Sequence, residues 1–200
     1  MIKAVKPGII VEKEGRFMKT PVSALLSEER FWDIIENSDK CRNLDIELSK
    51  LTEEELFGYK YWLDHFHLQS YNQALWAVAY VVMGGCSDDA FDYFRYWLIT
   101  RGKAVYMNAI KDADSLCGEF EKLADGECVE WEDVCYVPYD VFEKKFNKDF
   151  YDAEYAAKDS IDFEEMPFPE IAFEWSEDDE ASIRNICPKT FDKWWGNSKF

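Results

Sequence analysis

The stretch Gly84–Asp89, with the letters GGCSDD, places a thiol and a hydroxyl group next to two carboxylates. A cysteine or serine acts as a nucleophile only when a base lies within hydrogen-bond reach or the pKa of the group is lowered. The start of a helix would stabilise a thiolate at Cys86, but Asp88 and Asp89 oppose that effect because they add negative charge at the same place. These residues alone therefore do not predict a nucleophilic site.

The chain has two histidines, His65 and His67, that could act as the base. Both lie near the end of a predicted helix that is followed by a short turn and another helix. If these two helices pack antiparallel, Cys86 lies at the opposite end of the pair, about 20 Å from the histidines at a rise of about 1.5 Å per residue. The sequence therefore predicts no Cys–His dyad and no catalytic residue.

The spacing of possible metal ligands does not match a metal site. His65 and His67 project from different faces of a helix, whereas zinc-binding pairs are usually four residues apart. The six cysteines contain no C-x-x-C pair and stand at positions 41, 86, 117, 128, 135 and 187. Asp88 and Asp92 share a helical face and are expected to approach Glu53–Glu55, so a divalent cation could bind there. Carboxylates that cap a helix and face solvent are more common, and they are the first explanation for this cluster. We therefore expect no metal and no cofactor.

Side chains close to this stretch could still form a ligand or interaction site, because acidic, basic and aromatic groups follow one another along one predicted helix. Arg95 comes three residues after Asp92, so a local ion pair, or a contact to a neighbouring helix, is the first expectation. The candidate residues for a ligand or interaction site are Asp88, Asp89, Asp92, Arg95 and Trp97.

Capping signals predict the helices that position these side chains. Thr52 forms a capping box with Glu55, and Ser27 and Ser87 each precede two acidic residues, as N-cap residues often do. Apolar spacing then predicts helices over residues 28–37, 53–69, 75–83 and from Ser87 to Gly102. Shorter helices are expected over residues 103–110 and near 44–48.

Glycine and proline mark the breaks between helices. Gly84 and Gly85 are expected to end the helix over residues 75–83, because glycine accepts the left-handed conformation that closes a helix. Pro138 lacks the amide proton that a helix interior needs, so a kink or two separate helices are expected around it. Together these patterns predict a mainly α protein, a single-domain helical bundle.

We predict three regions along the chain. Residues 1–26 form an N-terminal arm with at most a small hairpin, residues 27–147 form the helical core domain, and residues 148–200 form an acidic extension that packs on or wraps the core. Aromatic residues make complete disorder of the extension unexpected, since their rings can pack on the bundle while the carboxylates face water. These residues are Phe163, Phe168, Phe173 and Trp175.

The charge of the chain is strongly negative and unevenly distributed. The net charge is −18, and residues 112–180 alone carry 24 acidic and 5 basic side chains, a net charge of −19. Such a surface repels nucleic acid and anionic membranes, because phosphate groups need neutralising cations. We expect no direct binding to nucleic acid or membranes and a possible basic protein partner.

Other features favour a soluble cytoplasmic protein. The first fifteen residues lack the apolar core of a signal peptide, and the longest apolar run, Ala74 to Met83, is about half the length of a membrane-spanning helix. The cysteine positions favour free thiols in a reducing compartment.

The segment Ala74–Leu116 resembles a family of uncharacterised bacterial domains, the domain-of-unknown-function family numbered 4240. The resemblance includes the Phe31–Trp32 pair, the GGCSDD corner and the helix with the pattern F-x-Y-F-R-x-W-L-I-x-x-G, and it covers about residues 28–147. A later stretch also agrees, with Glu127, Cys128, Glu130, Tyr136, Val137 and Tyr139. The resemblance implies a compact helical bacterial domain and implies no catalytic role. Pro138 and the long acidic extension depart from the family pattern.

The composition and the motifs together favour a non-enzymatic acidic protein-interaction module, immunity-like or regulatory, that covers a basic surface of another protein. The alternative is a small-molecule- or metal-binding protein, or an enzyme, that uses the acidic corner from Ser87 to Arg95. Carboxylates enclosed in a cleft would favour the alternative, and carboxylates on an open rim would favour the interaction module. The sequence leaves the oligomeric state open.

Overall fold

Eleven α-helices make up most of residues 18–124 and 126–198, the part of the chain that the computed structural model describes. This confirms the predicted mainly α fold. The helices are α1 (Glu28–Asn37), α2 (Leu44–Leu48), α3 (Glu53–Gln69), α4 (Gln73–Met83), α5 (Asp88–Thr100), α6 (Lys103–Lys111), α7 (Cys117–Phe120), α8 (Val137–Phe146), α9 (Phe150–Ala157), α10 (Glu180–Ile186) and α11 (Pro188–Trp194). Short 3-10 helices span Val22–Ala24, Ala113–Leu116 and Glu132–Cys135.

Local capping sets the bounds of the first helices, and these agree with the predicted ones. Thr52 accepts a hydrogen bond from the Glu55 amide while the Glu55 carboxylate accepts one from the Thr52 amide, which satisfies two amides that α3 itself cannot pair. Helix α4 begins two residues earlier than predicted, because the Asn72 side chain accepts a hydrogen bond from the Leu75 amide.

Backbone geometry at Gly84 and Pro138 confirms the predicted breaks. Gly84 has a φ of 71° and lies in the left-handed region directly after α4, where a side chain would be strained. Around Pro138 the chain forms two elements, the 3-10 helix Glu132–Cys135 and then α8, whose first turn contains the proline. A first-turn proline loses no intrahelical hydrogen bond.

A small sheet joins the start of the described chain to the segment after α9. Strand β1 (Thr20–Pro21) pairs in parallel with β2 (Ile161–Asp162), with Thr20 opposite Ile161. The predicted arm reaches into this pairing at its end, but residues 1–17, where the possible hairpin would lie, are outside the described residues.

Aromatic side chains form much of the core between α1, α3 and α6. The ring centroids of Trp32 and Phe66 are 4.6 Å apart, and those of Trp32 and Tyr106 are 5.3 Å apart. Tyr106 also donates its hydroxyl proton to the Phe66 carbonyl, with an O–O distance of 2.6 Å. Burial of such rings accounts for a large apolar contribution to folding, since each ring can remove about 150–250 Å² from water.

The segment that follows β2 lies against the bundle through its rings. The centroid of Phe163 is 5.6 Å from that of Phe57, and the centroid of Phe168 is 4.7 Å from that of Tyr71. Trp175 donates its Nε1 proton to the Gln73 carbonyl at the start of α4, at 3.0 Å. The division of the chain at residues 26 and 147 into separate regions stays a prediction.

A buried carboxylate fixes the C-terminal helix α11 against the core. Asp114, in the 3-10 helix before α7, accepts hydrogen bonds from the amides of Lys189 and Thr190 at 2.9 and 2.8 Å. These amides lie in the first turn of α11, where they have no partner within the helix. Asp114 therefore caps a helix more than seventy residues later in the chain.

None of the described helices is both long enough and apolar enough to cross a membrane.

A close backbone contact explains the glycine inside α3. A Cβ atom at Gly58 would lie 2.7 Å from the Leu26 nitrogen and 2.8 Å from the Leu26 Cβ. One turn later, Trp62 donates its Nε1 proton to the Leu26 carbonyl at 2.7 Å. The absence of a side chain at Gly58 therefore lets the segment before α1 lie directly on α3.

Replacing Gly58 by alanine is expected to lower the free energy of unfolding by about 1–2 kcal/mol, because the overpacking exceeds the roughly 1 kcal/mol that alanine gains over glycine in a helix. Gly118→Ala in α7 is the matched control, since a Cβ there meets no described atom within 4 Å apart from its own neighbours in the helix. Urea unfolding of both variants tests this. Equal stability of the two variants would contradict the close contact at Leu26.

Candidate functional site

Ser87, Asp88 and Asp89 lie at the start of α5. The Ser87 hydroxyl oxygen accepts a hydrogen bond from the Ala90 amide at 3.2 Å, so the serine occupies the N-cap position. Asp88 and Asp89 follow in the first turn, and both are exposed to solvent. Their negative charges face the positive end of the helix dipole.

Cys86 lines an open groove of about 370 Å³ between the turn before α5 and the segment after β2. Its Sγ donates to the Ser87 carbonyl at 3.6 Å. Burial raises the pKa of the thiol to about 12, and the negative charges of Glu130 and Asp88 raise it further. A thiol with this pKa is protonated at neutral pH, so Cys86 is not an activated nucleophile.

Arg95 is only 1% exposed and is held by backbone, ionic and ring contacts. Its Nη1 donates to the His67 carbonyl at 2.8 Å, and its Nη2 forms an ion pair with Asp92. The guanidinium carbon lies 4.9 Å from the Tyr71 ring centroid and 5.0 Å from that of Phe91. Its Nε has no hydrogen-bond partner in residues 18–124 and 126–198. Arg95 therefore joins the end of α3 to α5.

The position of Asp92 corrects the predicted arrangement of these helices. Asp92 lies beside His67 at the C-terminal end of α3, whereas the sequence predicted that it approaches Glu53–Glu55 at the N-terminal end. Glu53 instead forms an ion pair with Lys148 at 2.7 Å. The prediction was wrong because it assumed that α4 packs alongside α3. Helix α4 packs mainly on α11 and the 3-10 helix Ala113–Leu116, and α5 packs on α3.

His67 is half-buried and neutral. Its ring stacks on Tyr96 with centroids 4.0 Å apart, its Nε2 lies 3.3 Å from the Asp92 carbonyl oxygen, and its Nδ1 lies 3.3 Å from Arg95 Nη1. Burial lowers its pKa to about 3, and the charge of Arg95 lowers it further. Since arginine can only donate, Nδ1 accepts and the proton resides on Nε2. The hydrogen bonds of His67 and Cys86 go to different residues, so the two do not form a dyad.

Trp97 lies apart from the acidic residues. It is buried between Phe94 and Phe120, with ring centroids 5.5 and 5.7 Å away. The five candidate residues from the sequence therefore occupy three environments. Asp88 and Asp89 are on the surface, Asp92 and Arg95 lie at the contact of two helices, and Trp97 is in the core.

No group of three or more histidine, cysteine, aspartate or glutamate side chains with the geometry of a metal site occurs among the described residues.

A different surface combines exposed rings with carboxylates, and we call it the tyrosine–carboxylate face. Tyr136 is 52% exposed and Tyr151 is 62% exposed. The face lies where the start of α8 meets α9, and together with the neighbouring carboxylates it comprises Tyr136, Tyr139, Tyr151, Tyr155, Glu132, Asp140, Glu143 and Asp149.

Hydrogen bonds organise the tyrosines of this face. Tyr151 donates its hydroxyl proton to the Tyr139 hydroxyl oxygen, and Tyr136 donates to the Glu132 carboxylate, both at 3.2 Å. Burial, and then the hydrogen bond with Tyr151, raise the pKa of Tyr139. The hydrogen bond to Glu132 raises the pKa of Tyr136. Tyr136 and Tyr139 are therefore neutral at physiological pH, and the formal charge of the face comes from its carboxylates.

Helix α8 stands between two grooves. The groove on the side of the tyrosine–carboxylate face has a volume of about 290 Å³ and reaches α9. The other groove, between α2 and α8, has a volume of about 600 Å³ and is lined by Ile46, which is 55% exposed, and by side chains of both charge signs. Asp140 lines both grooves. Helix α8 therefore forms a ridge between the two grooves.

The tyrosine–carboxylate face was not predicted from the sequence, although the sequence contains a signal for it. Tyr136 and Tyr139 are three residues apart, and Tyr151 and Tyr155 are four apart, so each pair shares a helical face. Carboxylate residues lie near each of the four tyrosines in the sequence. What the sequence does not contain is the contact between α8 and α9 that joins the two pairs into one surface.

Comparison with known proteins gives one match. The model of a family described as "Protein of unknown function (DUF4240)" matches residues 26–144. The match includes α5 and most of α8, and it ends before α9. No curated protein and no solved structure matches the chain.

The lowered pKa of His67 predicts that stability falls in mild acid. In the unfolded chain a histidine takes up a proton near pH 6.5, whereas folded His67 does so only near pH 3, so the unfolded state binds more protons between these values. From pH 6.5 down to pH 5 this site should cost the native state about 2 kcal/mol.

Urea unfolding of the full chain at several pH values measures this loss. His67→Asn keeps an acceptor near the Nδ1 position and cannot take up the proton, so it should remove this part of the pH dependence. His65→Asn is the matched control and should keep it. Identical pH profiles for wild type and His67→Asn would contradict the assignment.

Proposed function

We propose that this chain, which belongs to the DUF4240 family, is a non-enzymatic acidic module that binds a basic surface of another protein in the bacterial cytoplasm. The observation that carries the proposal is the exposure of Tyr136 and Tyr151, which are 52% and 62% exposed in a face rich in carboxylates. Tyrosine is enriched where proteins bind one another, because its ring contributes apolar contact and its hydroxyl group a hydrogen bond.

Charge favours a basic partner. The net charge of −18 attracts a cationic surface over a distance of several ångströms and speeds encounter. It also disfavours nucleic acid and anionic membranes, which carry charge of the same sign. Within the face, Tyr136 and Tyr151 would make the close contacts, and Glu132, Asp140 and Asp149 would pair with lysine or arginine at the rim.

The groups around α5 support a non-enzymatic role. Cys86 has a raised pKa, and His67 is neutral and joined to Arg95. Asp88 and Asp89 are exposed, and the groove that Asp88 lines with Cys86 is open instead of enclosed. Enclosed carboxylates at this corner were the feature that would have favoured a ligand-binding or catalytic site there. All six cysteines are free thiols, which agrees with a reducing cytoplasm. An immunity-like or regulatory role follows from binding and blocking a basic surface.

A photo-crosslinking experiment identifies the partner. The amino acid p-benzoylphenylalanine is placed at position 151 or, as the matched control, at position 173, where Phe173 is 50% exposed on another part of the surface. We expect position 151 to yield an adduct with one basic protein and position 173 to yield none. Equal adducts from both positions, or an adduct with an acidic protein, would count against the proposal.

The affinity for the identified partner then tests the face itself. The double variant Tyr136→Ala and Tyr151→Ala should bind at least tenfold more weakly, which corresponds to about 1.4 kcal/mol. The variant Phe168→Ala and Phe173→Ala removes a similar exposed ring area elsewhere and should bind like wild type. Binding should also weaken as salt is raised. Unchanged affinity of the tyrosine variant would overturn the role of the face.

A further inference from the structure

A small cavity lies under the segment after β2, and it shares Phe150 with the groove beside the tyrosine–carboxylate face. Its volume is about 210 Å³, and it is bounded by α3, α9 and residues 163–166. Phe57, Phe150 and Phe163 form an aromatic wall, with Phe57 at the centre and ring centroids 5.2 and 5.6 Å away. Every residue that lines the cavity is buried or half-buried. The cavity is therefore largely apolar and partly shielded from water.

Four charged side chains from three parts of the chain also line the cavity: Lys60 and Asp64 from α3, Glu154 from α9 and Glu164 from the segment after β2. Three of them are carboxylates and one is a cation, so the lining carries excess negative charge. Lys60 is already engaged, because it forms an ion pair with Asp64 and its Nζ lies 5.2 Å from the Tyr139 ring centroid.

The other two carboxylates of the cavity, Glu154 and Glu164, have few partners for their negative charge. Glu164 accepts one hydrogen bond, from the Ser23 amide at 3.2 Å. Glu154 is half-buried and takes part in no hydrogen bond or ion pair with the described residues. A half-buried carboxylate without a partner is unfavourable, and it becomes favourable when a cation enters.

The protonation behaviour of the lining agrees with this imbalance. Burial raises the pKa of Asp64 although Lys60 lowers it. Burial also raises the pKa of Glu154, although Lys60 lowers it, and the charge of Asp64 raises it again by a smaller amount. Burial and the charge of Glu164 raise the pKa of Tyr61 at the same cavity. One added positive charge would stabilise the ionised forms of Asp64 and Glu154.

We propose that this cavity binds a small organic ammonium ion, with the ammonium group at Glu154 and Glu164 and its apolar body against Phe57, Phe150 and Phe163. The volume is below the roughly 300–1,000 Å³ of sites for drug-sized ligands, so the ligand carries one ring or a short chain. Aromatic rings and carboxylates together are the surroundings that stabilise an organic cation.

An inorganic cation does not suit the cavity. Calcium and magnesium ions need six or more oxygen ligands, and the phenylalanine rings would remove water without replacing it. No cluster of metal-binding side chains occurs in residues 18–124 and 126–198.

Calorimetric titration of the full chain with 2-phenylethylamine tests the proposal. Its neutral counterpart 2-phenylethanol and the anion phenylacetate have nearly the same size. We expect the amine to bind at least tenfold more tightly than the alcohol and the anion not to bind. Equal binding of amine and alcohol, or no binding of the amine up to 10 mM (on the order of the weakest specific sites), would overturn the proposal.

Variants place the ligand within the cavity. Glu154→Gln should weaken binding of 2-phenylethylamine at least tenfold, because it removes the uncompensated charge and keeps the shape. Glu165→Gln is the matched control, since Glu165 is an exposed neighbour outside the cavity. Thermal unfolding of Glu154→Gln should resemble that of wild type, because the side chain has no partner to lose. Unchanged amine affinity in Glu154→Gln would place the ligand elsewhere and refute the site.

Two further measurements separate this site from the interaction proposed above. A hexalysine peptide should not displace the amine, because the cavity is too small for a peptide backbone, and displacement would assign the site to a lysine of a partner protein. Binding of the amine should weaken as pH falls, starting above the ordinary pKa range of carboxylates, because Asp64 and Glu154 must be ionised. Tyr61 and Tyr139 stay neutral in that range because their pKa values are raised, and Lys60 also faces these carboxylates. A flat pH profile would therefore also refute the site.

Discussion

The guanidinium of Arg95 is the interaction on which the packing of α3 against α5 depends. It is buried, it donates to a carbonyl at the C-terminal end of α3, and it contacts the rings of both Tyr71 and Phe91. Helix C-termini leave carbonyl groups without partners, so a buried cation there both satisfies an acceptor and meets the negative end of the dipole. Asp92 supplies the counter-charge from the surface side. The features that first suggest chemistry, an arginine and a histidine among acids, are thus explained as a contact between helices.

Other charged and aromatic side chains do not take part in this contact between helices. The carboxylates at the start of α5 are exposed, and Phe91, Phe94 and Trp97 of α5 are buried in the core, whereas the junction of α8 and α9 keeps Tyr136 and Tyr151 at the surface. The segment after β2 uses its rings to lie on the bundle, and in doing so it closes the small cavity beside Glu154. The groove beside the tyrosine–carboxylate face and the proposed ammonium cavity share Phe150 in their walls. We propose a protein partner for the face and a small organic cation for the cavity.

Local features of the structure could be predicted from the sequence, and contacts between distant elements could not. The bounds of α1, α2 and α3 follow from caps and apolar spacing, because these signals act within a few residues. The environment of Asp92 was predicted wrongly, since it depends on which helix α4 packs against. The cap that Asp114 provides for α11 joins residues far apart in sequence and leaves no local pattern. Glu154, Glu164 and Lys60 line one cavity although they come from distant parts of the chain, so this grouping also leaves no local pattern. The spacing of the tyrosines, in contrast, is visible in the sequence.

The most direct test of the role of Arg95 is the free energy of unfolding of Arg95→Met, measured by urea at neutral pH beside Arg42→Met at an exposed arginine. Methionine keeps an apolar stem of similar length but cannot donate to the His67 carbonyl. If Arg95 holds α3 to α5, the free energy of unfolding of Arg95→Met is lower than that of wild type by about 2–3 kcal/mol, the contribution expected of a buried hydrogen bond to a charged group. The stability of Arg42→Met is unchanged. If Arg95→Met is as stable as wild type, the account is contradicted, and Arg95 again becomes a candidate for ligand binding or catalysis.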